Sequence, residues 1–211
     1  MAATFIQAAS FANGGSTIIS LPFPSANAFG NLGLCWCFTS NGLLPPSVGD
    51  SNGNTWTYVG AIPTNGLSIS LFACTMLAAG ANTVTANFSD SPINGTPSMI
   101  IEEFSYSAGS SLLALQPVYQ AQDVSSTVFY VSRNGASAVA FSVTLITAIY
   151  AGGGYTWSAG PGTLRAQNQE GTHATNAVAD NTGTSTPLTV TFAGTLPYND
   201  LTMLSIAVVS A

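Results

Sequence analysis

Residues Asn82 to Tyr106 read N-T-V-T-A-N-F-S-D-S-P-I-N-G-T-P-S-M-I-I-E-E-F-S-Y: a short alternating strand, a turn-rich loop holding Pro92, Asn94, Gly95 and Pro97, and a second, more continuously apolar strand. The same order returns near the end as L-T-V-T-F-A-G-T-L-P-Y-N-D-L-T-M-L-S-I-A-V-V-S, Leu188 to Ser210. Met99 stands in the first copy where Met203 stands in the second. A chain that closes twice with the same strand–loop–strand unit is built of two related halves, about 32–106 and 136–210, and each half must bury strands of alternating pattern.

The rest of the chain agrees with that constraint. Helical periodicity is hard to find, while β-branched and aromatic runs bounded by Gly, Asn, Pro and Ser recur every ten or so residues, the spacing of a sandwich or barrel. Thr4–Phe11 and Ser16–Leu21 flank Asn13-Gly14-Gly15 and read as an opening hairpin. Leu32–Thr39 is apolar on both faces and reads as a central strand. Thr55–Ile62 and Leu67–Met76 follow the turn-forming cluster Asp50-Ser51-Asn52-Gly53-Asn54.

In the second half, Ala138–Tyr150 is the most hydrophobic strand of all. Gly152-Gly153-Gly154 and Tyr155-Thr156-Trp157 stand where Asn52-Gly53-Asn54 and Thr55-Trp56-Thr57 stood. Strands Thr163–Gln169 and His173–Asp180 come before the closing unit. With every strand antiparallel and hairpin-linked, the expected fold is all-β: an antiparallel β-sandwich with jelly-roll or Greek-key connections, its two pseudo-repeated halves forming one domain over residues 1–211.

Charge narrows the function classes. Only 5% of the residues are charged, against roughly 25% in an ordinary soluble protein. Lysine is absent, and the cations are Arg133 and Arg165 alone. Two arginines do not neutralise the several phosphates that nucleic-acid binding needs, so no nucleic-acid partner is expected. A neutral Ser/Thr/Asn/Gln surface enters an interface at little desolvation cost, which favours packing against copies of the same chain. The stretch from Met1 has no basic n-region and reads as strand rather than secretory signal. The longest apolar run, Ala136 to Ala151, is interrupted by Ser137, Ser142, Thr144 and Thr147 and is short for a membrane-spanning helix; no membrane partner is expected.

Residues able to carry chemistry are sparse. The one histidine, His173, lies in a polar strand with no nucleophile elbow in the chain, and reads as a surface residue. Glu102 and Glu103 are adjacent, so on a strand they point to opposite faces and do not confront each other across a cleft as glycoside hydrolysis requires. An inward Glu held by backbone or Arg donors is the expected role, and no catalytic residue is assigned. Asp50-x-Asn52-x-Asn54 resembles the start of a calcium loop, but no Glu closes it, so a plain turn is expected. Cys35, Cys37 and Cys74, with His173, have no zinc-ligand spacing. Cys35 and Cys37 share a strand face with Cα atoms about 7 Å apart, too far for an unstrained bond; either could reach Cys74, and buried free thiols are the expected state. No metal or cofactor is expected. Asn87-Phe88-Ser89 and Asn94-Gly95-Thr96 are formal glycosylation sequons.

Aromatic residues remain. Trp56 and Tyr58 share one face of their strand, and Tyr155 and Trp157 one face of the matching strand. Exposed, each pair is a platform for stacking sugars; buried, it is core.

Three stretches, D-S-N-G-N-T-W-T-Y-V (Asp50–Val59), A-G-A-N-T-V-T-A-N-F (Ala79–Phe88) and I-I-E-E-F-S (Ile100–Ser105), resemble the Thr/Gly-rich jelly-roll-like β-sandwich modules of tailed-bacteriophage virion proteins of the decoration or head-fibre type. Similar modules occur in large bacterial surface proteins. The resemblance covers Leu32 to Tyr106 well and the second half in outline, and its motifs are turns and strands that carry no catalytic residue. It implies a non-enzymatic virion structural protein, made in the host cytoplasm without a signal peptide and placed on the virion exterior. Its partners would be copies of itself and a phage capsid or tail protein. The absence of a basic arm favours an outer, decorating position over a genome-facing shell. The alternative is a carbohydrate-binding or adhesin module that engages a host-surface glycan through Trp56, Tyr58, Tyr155 and Trp157.

Overall fold

A computed structural model describes residues 4–12, 16–40, 47–63, 67–75, 77–88 and 97–105 in the first half. In the second half it describes residues 111–112, 116–121, 128–131, 139–149, 156–160, 163–170, 174–180, 188–193 and 199–209. The chain divides into two compact units, one spanning Ala3–Gly109 and one built from Ser110–Ala211. Every element among the described residues is a β-strand, and every pairing is antiparallel, as the alternating and β-branched runs require.

The first unit contains β1 (Thr4–Ala12), β2 (Ile18–Pro22), β3 (Leu32–Ser40), β4 (Ser47–Asp50), β5 (Thr57–Pro63), β6 (Leu67–Cys74), β7 (Thr83–Asn87) and β8 (Ser98–Ser105). They form a larger sheet in the order β1-β8-β3-β6-β5 and a smaller one in the order β2-β7-β4. The second unit contains β9 (Ser111–Leu112), β10 (Gln116–Ala121), β11 (Val128–Val131), β12 (Val139–Ile149), β13 (Thr156–Gly160), β14 (Thr163–Glu170), β15 (Ala174–Asp180), β16 (Leu188–Ala193) and β17 (Asn199–Val209). Its sheets run β10-β17-β12-β15-β14 and β11-β16-β13, with the short β9 paired to β17.

Set β9 aside and count strands one to eight in each unit. Both units then read 1-8-3-6-5 in the larger sheet and 2-7-4 in the smaller. This is jelly-roll order, with the fifth strand joined to the sixth rather than to the fourth. The repeat is therefore wider than the stretch from 32 to 106 and its copy, since each half also has its own first and second strands.

Three sequence-based expectations are corrected by the pairing. First, β1 and β2 are not a hairpin: β1 pairs with β8 and β2 with β7, so the chain changes sheet between them. Asn13-Gly14-Gly15 lie outside the described residues; the sheet that receives the next strand is set by which faces must be buried. Second, the closing unit that recurs is a crossover between sheets, because β7 and β8 lie in different sheets, as do β16 and β17. Only β5–β6 and β14–β15 are consecutive strands paired to each other in these sheets. Third, Trp157 does not occupy the place of Trp56. Its strand β13 pairs with β16, as β4 pairs with β7, and is thus a fourth strand; Trp56 lies between the fourth and fifth. The connection that carries Trp56 spans residues 51–56, while its counterpart is residues 161–162.

Between the two sheets of the first unit, Ile19, Leu21 and Phe23 from β2 and its end, with Val84, Ala86 and Phe88 from β7 and its end, pack on Cys35, Cys37, Phe72, Met99 and Ile101 of the larger sheet. The alternate residues of that sheet, Leu32, Leu34, Trp36, Phe38, Ile69, Leu71, Ile100 and Phe104, are buried as well. Burial on both faces explains why β3 is apolar throughout, since a strand covered on one side only would alternate. Each large apolar side chain so buried contributes about 1.5–3 kcal/mol. This two-sided burial also forces Glu102 and Glu103, on opposite faces of β8, out of water.

Candidate functional site

The described polar chemistry of the first unit gathers where the connections 23–31, 51–56 and 75–82 meet. Backbone bonds tie the first to the third: Phe23 N–H to Asn82 O, Gly30 N–H to Leu77 O, Leu77 N–H to Asn31 O, and a reciprocal pair between Asn27 and Gly80. The second joins them through Ser51 N–H to Thr83 O and Ala78 N–H to Asn54 Oδ1. Two carboxylates sit at the centres of this assembly.

Asp50, at the end of β4, accepts five hydrogen bonds. Its Oδ1 takes the N–H groups of Asn52 and Asn54 at 3.1 and 2.9 Å, closing an Asx-type turn over Gly53, which has φ 71°. Its Oδ2 takes Asn54 Nδ2 at 2.7 Å, Trp56 Nε1 at 2.9 Å and Asn82 Nδ2 at 3.0 Å. With both oxygens occupied by protein donors, the Asp-x-Asn-x-Asn run functions as a turn clamp. Among the described residues there is no group of three or more His, Cys, Asp or Glu placed to hold a metal ion.

Glu103 is fully buried. Its Oε2 accepts from Gln7 Nε2 and from Asn27 Nδ2 at 2.8 Å; its Oε1 accepts from Ala28 N–H at 3.0 Å and Asn31 Nδ2 at 2.6 Å. Gln7 is itself locked, since its Oε1 takes both the N–H and the hydroxyl of Ser25. A buried carboxylate costs several kcal/mol unless its lone pairs are filled. One of the four donors is the backbone group that the sequence led us to expect, and the other three are neutral side-chain amides in place of an arginine. Burial alone would raise the carboxyl pKa of Asp50 and of Glu103, but the converging hydrogen bonds outweigh it and hold each below its ordinary value. Glu102, on the other face of β8, is equally buried, and its Oε2 accepts from the Trp36 indole N–H at 2.9 Å.

The last strands of the two units differ at this carboxylate. Met99 pairs with Phe11 and Cys37, and Met203 pairs with Tyr119 and Leu145, so each methionine stands on the last strand of its unit between that unit's first and third strands, β9 set aside. Four residues on, Glu103 pairs with Gly33 and Ala207 pairs with Phe141. In the sequence, Ala207 stands four residues past Met203 where Glu103 stands four past Met99.

Of the four aromatic residues assigned to a sugar platform, Trp56 is turned inward. Its indole is bound to Asp50 and packs against the intersheet core, and its Cη2 approaches within 2.8 Å of where a Cβ on Gly33 would lie. Gly33 is therefore required by a close approach. Tyr58 is half-exposed, with its ring edge-on to Phe72 at 5.4 Å. Tyr155 lies outside the described residues, and Trp157 is placed in β13 without a described side chain. His173 and Arg133 also lie outside the described residues, and Arg165 lies in β14. Cys35, Cys37 and Cys74 are buried free thiols, with the first two sulfurs 3.7 Å apart.

Sequence reasoning missed Phe29, which is 75% exposed at the tip of the connection 23–31. The available signal was an aromatic beside a glycine inside a loop of small polar residues. Among the described residues no helix is long and apolar enough to cross a membrane. Compared with family models, with curated proteins and with solved structures, the chain matches none.

Proposed function

We propose that the protein is a non-enzymatic structural component of a tailed-bacteriophage particle, seated on the outside of the capsid or tail and packed against copies of itself and against a shell protein. The observation that carries this reading is how the first unit uses its acidic groups. Asp50, Glu102 and Glu103 accept hydrogen bonds from neighbouring side chains and, for Asp50 and Glu103, from loop amides, and so act in holding a duplicated jelly-roll scaffold in shape. A rigid, almost uncharged β-scaffold suits a role in which large neutral surfaces are buried. The resemblance of Asp50–Val59, Ala79–Phe88 and Ile100–Ser105 to virion modules supports the same role.

The test is addition of the purified protein to virions assembled without it, followed by imaging of the particles. Regular density on the outer surface is the expected result. Protein that stays monomeric by light scattering and leaves such particles bare would overturn the reading.

A further inference from the structure

We propose that Asp50 and Glu103 form an acid-operated latch: the loop cluster they hold stays closed only with both carboxylates ionised, and uptake of one proton at each opens it while the sheets of the first unit stay paired. The latch does not depend on what the protein packs against.

The first observation is that the closed cluster has no place for a proton on either group. A carboxylate presents about four lone-pair sites. At Glu103 four donors fill them, Gln7 Nε2 and Asn27 Nδ2 on Oε2, and Ala28 N–H and Asn31 Nδ2 on Oε1. At Asp50 five donors converge: the N–H groups of Asn52 and Asn54 on Oδ1, and Asn54 Nδ2, Trp56 Nε1 and Asn82 Nδ2 on Oδ2. Whichever oxygen takes the proton, the new O–H points at N–H groups, and two donors do not bond each other. The donors are amides and one indole, none of which gives up its proton in the acid range. Opening relieves the conflict by turning the stranded donors to water. Burial raises and the converging bonds lower the pKa of each carboxyl, and the bonds prevail.

The second observation is that these bonds tie connections together and leave the ladders to themselves. Ala28 and Asn31 lie between β2 and β3, Asn52, Asn54 and Trp56 between β4 and β5, and Asn82 between β6 and β7. The sheets β1-β8-β3-β6-β5 and β2-β7-β4 are paired through backbone groups and use neither carboxylate. The connection 75–82 joins the two carboxylates into one assembly. It is bonded to 23–31 through Gly30, Leu77 and Gly80, and to 51–56 through Ala78 and Asn54.

Neighbouring side chains bring no charge that would mask the effect. Residues 3–109 contain no Lys, Arg or His, and their acids are Asp50, Asp90, Glu102 and Glu103. Asp90 lies outside the described residues, and Glu102 is on the opposite face of β8, bonded to Trp36. Against Glu103, β1 brings Gln7, β3 brings Gly33 and the connection 23–31 brings Asn27 and Asn31. Against Asp50, β7 brings Val84, while the connections bring Asn54, Trp56 and Asn82.

The open form has ordinary carboxyl pKa values of about 3.9 and 4.3. As pH falls below about 4 it takes up both protons while the closed form takes neither, so the opening equilibrium rises about 100-fold between about pH 5 and pH 3, and about 10-fold where only one of the two carboxylates remains.

Residue-resolved amide hydrogen exchange on the whole protein, corrected for the intrinsic pH dependence of exchange, tests this. The N–H groups of Ala28, Asn54 and Leu77 are expected to lose about 100-fold in protection between about pH 5 and pH 3, while those of Cys35 and Cys37 in β3 keep theirs. Asp50→Asn and Glu103→Gln are each expected to start with less loop protection and to lose only about 10-fold over the same range. Loops and β3 losing protection together would mean global unfolding and overturn the latch. A wild-type loop response of about 10-fold or less, or a variant responding as steeply as wild type, would overturn it too. If a variant does not fold, the wild-type comparison of loops with β3 decides alone.

Discussion

Replacing Glu103 by Gln removes one charge and changes almost no volume, so its cost can be worked from the hydrogen bonds alone. The carboxylate accepts four bonds with no exposure to water. A bond to a charged group contributes about 1.5–3 kcal/mol, and a stranded buried donor costs about 1–3 kcal/mol. The amide introduced by Glu103→Gln keeps one acceptor oxygen and turns an NH₂ toward the other two donors. If its oxygen stays with Ala28 and Asn31, the NH₂ faces Gln7 and Asn27.

Gln7 and Asn27 respond differently. Asn27 Oδ1 is buried without a hydrogen-bond partner, so a flip of that amide offers an acceptor to the new NH₂. Gln7 has no such freedom, because its Oε1 already holds Ser25 N–H and Oγ. One N–H of Gln7 is stranded against the new NH₂, the flipped Asn27 turns its own NH₂ to the buried place its Oδ1 held, the remaining bonds lose their charge assistance, and the relief from burying a charge offsets part of the loss. The net destabilisation of the first unit is about 2–4 kcal/mol. For a unit near a hundred residues this lowers the melting temperature by at least ~8 °C.

The assay is urea and thermal unfolding followed by tryptophan fluorescence in a Trp157→Phe background, which leaves Trp36 and Trp56 as reporters of the first unit alone. A change within about 0.5 kcal/mol, the range of an ordinary surface substitution, would refute the reasoning.

Other consequences can be measured on the same protein. The folded-state pKa values of Asp50 and Glu103 lie below their unfolded values of about 3.9 and 4.3. Their contribution to stability is therefore complete above those values and is lost as pH falls through the folded ones. First-unit stability should be level from neutral pH to about 5 and fall below about 4, with a shallower fall in the Asp50→Asn, Glu103→Gln double variant; equal slopes in variant and wild type would contradict this. Gly33→Ala places a Cβ 2.8 Å from Trp56 Cη2 and 3.2 Å from Leu77 Cδ2, and should cost about 1–3 kcal/mol. That cost should shrink in a Trp56→Phe background by more than ~0.5 kcal/mol, and strict additivity in the double-mutant cycle would exclude the clash. Burial, together with the neighbouring Cys37 thiol, pushes the Cys35 thiol well above its ordinary pKa. All three cysteines should resist a thiol reagent in the native state and all three should react in denaturant; fewer than three after unfolding without reductant would indicate a disulfide.

Much of the strand content is legible in the sequence because it rests on local pattern. The apolar-through run of Leu32–Thr39 identifies a central strand, and β3 does sit between β8 and β6. Pairing partners were not legible. Asn13-Gly14-Gly15 has the chemistry of a hairpin turn, yet β1 finds its partner in β8, with Thr4 opposite Ser105. The match of Trp157 to Trp56 failed for a related reason. Composition aligned two Trp-bearing segments, whereas sheet pairing assigns β13 to the place of β4.

The opposite facing of Glu102 and Glu103 follows from strand period alone, and both side chains lie as that period dictates. What satisfies Glu103 could not be read, because Gln7, Asn27 and Asn31 stand 96, 76 and 72 residues away in the chain. No spacing rule links them before the sheets are assembled.

The two units make a controlled comparison within one molecule. They share a strand order, and four residues past the methionine of the last strand one has Gly33 opposite Glu103 while the other has Phe141 opposite Ala207. Replacing a buried charge and its partners by apolar residues is often neutral or stabilising, so stability alone does not account for Glu103. What the carboxylate supplies is geometry. It fixes Ala28 and Asn31, and through them the turn that bears Phe29, just as Asp50 fixes Asn54 and Trp56. Both carboxylates serve loops at one end of the first unit, and that end carries the most exposed of its large apolar side chains among the described residues. A sandwich that commits scarce acidic residues to the shape of one loop cluster has that cluster, rather than a cleft between its sheets, as the place where its surface is most specific.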